Sequence, residues 1–123
     1  MIGYVTIGTN DFEKAKTFYD ALLADLGGKR TMTFENMQGY GNGKNPVMLA
    51  VCKPHDGKPA THGNGTMISL SAPSHEVINK VHAKALSLGA RDEGAPGPRG
   101  TGGFYAGYFR DLDGNKLCVF KMG

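Results

Sequence analysis

The chain repeats one order of secondary structure twice, and this repeat restricts the possible folds more than any other feature of its 123 residues. Residues 4–9 alternate apolar and polar side chains in the manner of a β-strand, and a cap and a helical pattern follow. Residues 67–72 open the same order of elements in the second half of the chain. We therefore predict two modules built on one plan.

An amphipathic helix follows each opening strand. Asn10 and Glu13 have the spacing of a capping box before the first helix, and Ser74 is a good N-cap for the second. Gly27 and Gly89 stand where each helix needs a left-handed C-terminal residue. Apolar side chains recur at spacings of three and four in both segments: Phe12, Ala15, Tyr19, Leu22, Leu23 and Leu26, then Val77, Ile78, Val81, Ala85 and Leu88.

Three short extended segments follow each helix, so each module is predicted to be a βαβββ unit. A polar segment rich in Pro and Gly, residues 54–64, reads as a linker between module one (1–53) and module two (65–123). We expect an α+β fold in which two curved sheets face each other and form a cleft, the usual place for a ligand. The predicted extended segments are 29–34, 37–42, 46–52, 90–94, 103–110 and 116–121.

Two details of module two remain open at this point. The Gly-rich segment 94–103 is predicted to be a mobile lid, since it matches neither a phosphate-binding loop nor a dinucleotide fingerprint. Strand 103–110 carries aromatic side chains on both faces, and the sequence does not tell which face enters the cleft.

Charge and cysteine usage exclude several classes of protein. The net charge is +3, and the basic residues are scattered, which argues against a nucleic-acid partner. No segment reaches 18 consecutive apolar residues and the N-terminus shows no leader pattern, so we expect no membrane partner and a cytoplasmic location. Cys52 and Cys118 lie far apart in the chain and form no redox or zinc motif.

Three segments resemble the opening and closing signatures of the glyoxalase, bleomycin-resistance and extradiol-dioxygenase superfamily, also called the vicinal-oxygen-chelate superfamily. The segments are 5–15, the pair Phe18 and Tyr19, and 109–117 with its Arg-Asp-x-Asp-Gly-Asn motif. The resemblance implies the doubled βαβββ fold. It does not determine the function, because the superfamily includes lyases, dioxygenases and proteins that only bind antibiotics. It also suggests a homodimer.

Metal enzymes of the superfamily hold their ion with four His or Glu side chains. The resemblance places these positions at Tyr4, Leu49, Met67 and Cys118, which are poor donors for a divalent metal. A shift of one or two residues around Leu49 brings in no better donor. We therefore predict no metal and no cofactor. The four histidines, His55, His62, His75 and His82, are assigned to the linker or the surface.

Two hypotheses of function remain. The first is a metal-free protein that binds a small apolar or aromatic molecule in the cleft. The second is a lyase, isomerase or dioxygenase-type enzyme that uses Tyr4 as acid or base and Cys118 as ligand or nucleophile. We favour binding, because none of the inferred cleft positions supplies His, Asp or Glu. Cys118 can alternatively pack as a small hydrophobic residue. The predicted ligand-binding residues are Tyr4, Met48, Met67, Tyr105, Tyr108, Cys118 and Phe120.

Overall fold

A computed structural model describes all residues, 1–123, and confirms the doubled βαβββ order. Two helices and eight strands form two four-stranded sheets. The elements are β1 (Tyr4–Gly8), α1 (Phe12–Ala24), β2 (Lys29–Thr33), β3 (Met37–Gly41), β4 (Met48–Cys52), β5 (Ile68–Ser71), α2 (His75–Ser87), β6 (Arg91–Arg99), β7 (Phe104–Arg110) and β8 (Lys116–Lys121).

The chain divides into two compact units, which we call unit 1 (Met1–Thr61) and unit 2 (His62–Gly123). The strand order in unit 1 is β1-β4-β3-β2, and in unit 2 it is β5-β8-β7-β6. The first strand of each unit pairs in parallel with the last, and the other pairs are antiparallel. No helix is both long and apolar enough to cross a membrane.

In unit 1 the helix covers one face of the sheet. Phe18, Tyr19 and Leu22 of α1 are almost fully buried, as the helical spacing predicts. On the sheet side Leu49 and Val51 are buried, and the ring of Tyr40 lies 6.2 Å from that of Tyr19. The Tyr40 hydroxyl lies 3.1 Å from the Lys16 carbonyl oxygen and 2.9 Å from Asp20 Oδ1, so β3 is tied to α1 by polar contacts as well.

Unit 2 repeats this arrangement with one difference in its core. Ile78, Val81 and Ala85 of α2 are fully buried, but the same helix also buries a histidine. His82 Nε2 lies 3.2 Å from Asp92 Oδ1 and 3.1 Å from the Tyr108 carbonyl oxygen. The prediction that His82 lies on the surface is wrong.

The predicted helix ends are confirmed, whereas one predicted cap is wrong. Gly27 and Gly89 follow the helices with φ of 76° and 103°, a conformation that glycine adopts without strain. The Ser74 side chain accepts from the Val77 N–H, as an N-cap does. In α1 the N-cap is Asp11 rather than Asn10.

The predicted mobile lid is largely a strand. β6 runs to Arg99 and pairs with β7, and only residues 100–103 form the turn between them. Two prolines, Pro96 and Pro98, suggested a loop, but β6 is an edge strand, where a missing N–H is tolerated. Register shifts on either side of Gly94 absorb the irregular sequence.

Candidate functional site

Each sheet has one face that its helix does not cover, and we call these the helix-free faces of units 1 and 2. Residues directly opposite each other in neighbouring strands share a face. In unit 1 Tyr40 is opposite Leu49 and contacts α1, which places Leu49 on the helix side. The helix-free face therefore carries the alternate residues of β1 and β4: Tyr4, Thr6, Gly8, Met48, Ala50 and Cys52.

A recess of about 780 Å³ lies against the helix-free face of unit 1. Segment 53–61, most of which was predicted to be linker, forms one wall. Asn10 holds this segment in place, because its Oδ1 accepts from the Ala60 N–H at 2.6 Å. At Gly8 a side chain would meet Ala60 Cβ at 3.0 Å, so glycine permits the close approach. The other lining residues include Tyr4, Thr6, Phe34, Met37 and Cys52.

The wall of this recess supplies groups that can move protons. His55 and Asp56 line it, and the Asp56 side chain accepts from the Lys58 N–H. Both residues fall in the segment predicted to be linker, so neither was predicted to be a site residue. Cys52 is a neutral thiol at neutral pH, since burial raises its pKa and outweighs the opposing hydrogen bond with Thr6.

In unit 2 the structure separates two aromatic residues that were predicted to share a site. Tyr105 stacks on His75 of α2 at 3.9 Å between ring centroids, and its hydroxyl donates to Asn79 at 2.7 Å. Tyr105 therefore lies on the helix side. Tyr108 has the opposite parity and lies on the helix-free face, directly opposite Cys118.

Of the other residues of unit 2 predicted to bind a ligand, Cys118 and Phe120 share the helix-free face of β8, whereas Met67 lies outside the strands. Phe120 is two residues from Cys118 and stacks on Phe104 with ring centroids 5.7 Å apart. Met67 precedes β5 and is 40% exposed. Cys118 is buried, and burial raises its pKa despite hydrogen bonds with Ser69 and Tyr108. The thiol is thus neutral near pH 7 and a weak nucleophile.

The side chains present do not fit the metal centre that the resemblance to metal enzymes implies. No three His, Cys, Asp or Glu side chains are grouped so that they could hold a metal ion. Leu49 packs on the helix side of its sheet, and its neighbours on the helix-free face are Met48 and Ala50. A thioether and a methyl group are not ligands for hard or borderline divalent ions.

Comparison with known proteins agrees with this architecture. The glyoxalase/bleomycin resistance protein/dioxygenase superfamily profile matches residues 1–119. A glyoxalase/bleomycin resistance protein from Albidiferax ferrireducens is 36% identical, with 98% of this chain and 97% of that chain covered and a TM-score of 0.88. No curated protein matches.

More distant structures show the same fold. A family enzyme from Burkholderia phytofirmans is 18% identical, with 98% of both chains covered and a TM-score of 0.79. A fosfomycin resistance protein from Mesorhizobium loti is 14% identical, with 100% of this chain and 92% of that chain covered and a TM-score of 0.70. From the profile match and the 36% identical relative, the chain belongs to the glyoxalase/bleomycin resistance protein/dioxygenase superfamily.

Proposed function

We propose that the protein binds a small apolar or aromatic molecule in the recess of unit 1, without a metal ion. The observation that carries the proposal is the recess itself. Its volume of about 780 Å³ falls within the range of small-molecule sites, roughly 300–1,000 Å³. Tyr4, Phe34 and Met37 line it, and such side chains suit adaptable apolar contacts.

The exposure of the lining aromatics supports the same proposal. Tyr4 is 53% and Phe34 54% exposed, although both are large hydrophobic side chains. Exposed aromatic surface that borders a recess is typical of a binding site. The Thr6 hydroxyl and the Cys52 thiol add polar groups that can orient a ligand.

Native mass spectrometry of freshly purified protein tests whether a small molecule is bound. Binding in vitro is then measured with N-phenyl-1-naphthylamine, a neutral aromatic fluorophore, in a chain that has no tryptophan. We expect saturable binding that falls about fivefold in Tyr4→Ala and Phe34→Ala, the loss of roughly 1 kcal/mol of apolar contact. Leu86→Ala, an exposed apolar residue of α2, is the control. Equal affinity in all variants would refute the proposed site.

The metal-free part of the proposal is tested separately by calorimetric titration with Zn²⁺, Ni²⁺, Mn²⁺ and Fe²⁺. We expect no stoichiometric binding at Tyr4, Leu49, Met67 and Cys118, because these side chains lack suitable donors. Binding that survives mutation of all four histidines but disappears in Cys118→Ala would contradict this.

A second candidate, a lyase or isomerase, is favoured by one observation. His55 and Asp56 line the recess, so a general acid or base is available there after all. The test is isomerisation of the glutathione hemithioacetal of methylglyoxal. Activity that is lost in His55→Gln and kept in His62→Gln would favour the enzyme; no turnover favours the binding protein.

We further propose a homodimer. Each sheet has two edge strands, β1 and β2 in unit 1 and β5 and β6 in unit 2. Unpaired strand edges favour association. Exposed apolar side chains, Ile2, Tyr4 and Val47, lie at or beside the ends of β1 and β4. Light scattering at micromolar concentration should give twice the chain mass of 13.1 kDa. A monomeric mass would rule the dimer out.

A further inference from the structure

Three basic side chains stand directly opposite one another on the helix-free face of unit 2. Arg110 of β7 is the register partner of Lys116 in β8 and of Arg91 in β6. Directly opposed like charges destabilise a sheet. Such a row indicates that the face has a use other than stability.

The acidic residue in contact with this row neutralises little of its charge. Glu93 Oε1 accepts from Arg110 Nε at 2.6 Å, and the Gly114 carbonyl oxygen accepts from Arg110 Nη1 at 2.9 Å. The Arg110 hydrogen bond and the nearby charges of Arg91 and Lys116 lower the pKa of Glu93, which is therefore ionised. One carboxylate thus faces three cations. It is hydrogen-bonded directly to Arg110, so the positive charges of Arg91 and Lys116 are less compensated.

A fourth cation is fixed beside the row. The Arg99 guanidinium lies 5.3 Å from the Tyr108 ring centroid. It is held by backbone carbonyl oxygens of its own strand: Nη1 donates to Gly97 at 3.0 Å, and Nη2 donates to Ala95 at 2.7 Å. A side chain at Gly94 would meet Arg99 Nη2 at 3.3 Å, so glycine leaves room for the guanidinium. The position of this charge is set before any ligand binds.

Lys116 is the side chain that remains available to a ligand. Its Nζ lies 5.7 Å from the Tyr108 ring centroid, and it makes no hydrogen bond or ion pair. The side chain is half-buried, where an ammonium without an acceptor is costly. The Tyr108 hydroxyl and Ser69, which is opposite Cys118, add neutral donors on the same face.

We propose that the helix-free face of unit 2 is a binding site for a small organic anion, with Lys116 and Arg99 beside Tyr108 receiving its carboxylate or phosphate group. Arg110 and Arg91 strengthen the positive field of the site, and Lys116 supplies the direct charged hydrogen bond. This site is formed by unit 2 alone and does not depend on the recess of unit 1.

The test is an NMR titration of ¹⁵N-labelled protein at constant ionic strength with three probes of similar size: benzoate, phenyl phosphate and benzyl alcohol. We expect saturable shifts at the amides of Ser69, Tyr108 and Lys116 with one or both anions and none with the neutral alcohol. Benzoate and phenyl phosphate distinguish a carboxylate from a phosphate ligand. Shifts of equal size with benzyl alcohol, or no saturation with either anion, would overturn the proposal.

A matched pair of variants separates the site from general basic charge. Lys116→Met should weaken anion binding about tenfold or more, the effect of one charged hydrogen bond. Lys121→Met, on the same strand at the opposite parity, should leave it unchanged, since Lys121 Nζ lies near the chain's own terminal carbonyl oxygens. Equal effects of the two variants would refute the site.

A loss of anion binding in Lys116→Met cannot be explained by unfolding. The substitution removes a like charge opposite Arg110, so the melting temperature should stay equal or rise. A variant that is stable and yet binds the anion poorly would support the proposal. A short single-stranded DNA that bound more tightly than phenyl phosphate would overturn it in favour of a nucleic-acid surface. The neutral probe of the recess and these anionic probes can fail independently of each other.

Discussion

Units 1 and 2 share an order of elements but differ on their helix-free faces. In unit 1 the paired strands β1 and β4 present neutral side chains on this face, with Tyr4, Met48 and Cys52 among small residues, and a recess lies against it. In unit 2 it carries Lys116 and Arg110 in direct register. The helix side of each sheet supplies buried apolar residues in both units, Leu49 and Val51 in unit 1 and Phe109 and Leu117 in unit 2, so the shared plan is set there. The other face is free to differ, and functional sites on a common fold arise in this way.

The two units also differ in how the helix is tied to the sheet. In unit 1 the linking side chain belongs to the sheet: the Tyr40 hydroxyl hydrogen-bonds to α1. Burial together with Asp20 raises the pKa of this hydroxyl well above the ordinary value, so it stays protonated and acts as a donor. In unit 2 the tie starts from the helix: His82 reaches Asp92 and the Tyr108 carbonyl oxygen. Both anchoring side chains are buried, His82 at 5% and Tyr40 at 3% exposed, and both carboxylates, Asp92 and Asp20, are partly solvated.

The largest effect should come from removing the anchoring side chain of unit 2, because its buried ring is lost together with its polar contacts. His82→Ala deletes both polar contacts and leaves a cavity beside Phe109, whose ring centroid lies 6.2 Å from that of His82. We expect a loss of about 3 kcal/mol in the free energy of unfolding, from the cavity and the unsatisfied acceptors together. Urea unfolding measures it. A loss below about 1 kcal/mol would show that the histidine is not structural.

Tyr40→Phe breaks the corresponding tie of unit 1 and should cost less. The ring remains, so no cavity forms, and Asp20 keeps its two hydrogen bonds from Arg30, at 2.9 and 2.8 Å. We expect a loss of about 1 kcal/mol, the usual value of one hydrogen bond. The same urea experiment checks it. If Tyr40→Phe cost as much as His82→Ala, the buried volume of the histidine ring would contribute nothing to the difference, contrary to this prediction.

The helix caps give a further, smaller comparison. Asp11 accepts from the Lys14 N–H at 3.1 Å, and Ser74 accepts from the Val77 N–H at 3.2 Å. Asp11→Ala and Ser74→Ala should each cost somewhat under 1 kcal/mol. Asn10→Ala is an informative contrast, because Asn10 holds Ala60 rather than the helix. It should weaken probe binding in the recess more than it lowers stability.

The order of elements could be predicted from the sequence because it depends on local patterns. The apolar spacing in α1 and α2 and the stops at Gly27 and Gly89 involve residues close together in the chain, and the structure confirms both helices and both stops, although Leu26 and Leu88 lie just beyond the helix ends. The choice of Asn10 over Asp11 as N-cap was wrong because both types cap helices. Only the distant partner of Asn10, Ala60, reveals its different role.

The sites were harder to predict because they depend on pairing across strands. The parity of β7 became clear only when Tyr105 was found against α2, which places Tyr108 on the other face. The row of cations depends on the register of three strands: Arg110 and Lys116 pair across the β7–β8 turn, and Arg91 joins them only through the pairing of β6 with β7. His55 was missed because a segment rich in Pro and Gly was read as linker, whereas it packs along the recess.

The smallest expected difference between the units is their sensitivity to acid. In unit 2 a backbone hydrogen bond from Gly94, with help from His82, lowers the pKa of Asp92 below 3.8, and the hydrogen bond from Arg110 lowers that of Glu93 below 4.5. In unit 1 the hydrogen bond from Arg30 lowers the pKa of Asp20 below 3.8.

A carboxyl group whose pKa is lower in the folded state stabilises the fold above its ordinary pKa, and this stabilisation is lost as the pH falls through the folded value. Unit 2 has two such groups and unit 1 has one, so below about pH 4 the amides of β6 and β7 should lose protection from hydrogen exchange before those of β2 and β3. The effect is small because all three carboxylates are partly solvated and screened. Asp92→Asn combined with Glu93→Gln should reverse the order, because only Asp20 of unit 1 then responds to acid, and Asp20→Asn should enlarge the difference. Equal loss of protection in both units of the native protein would contradict the comparison.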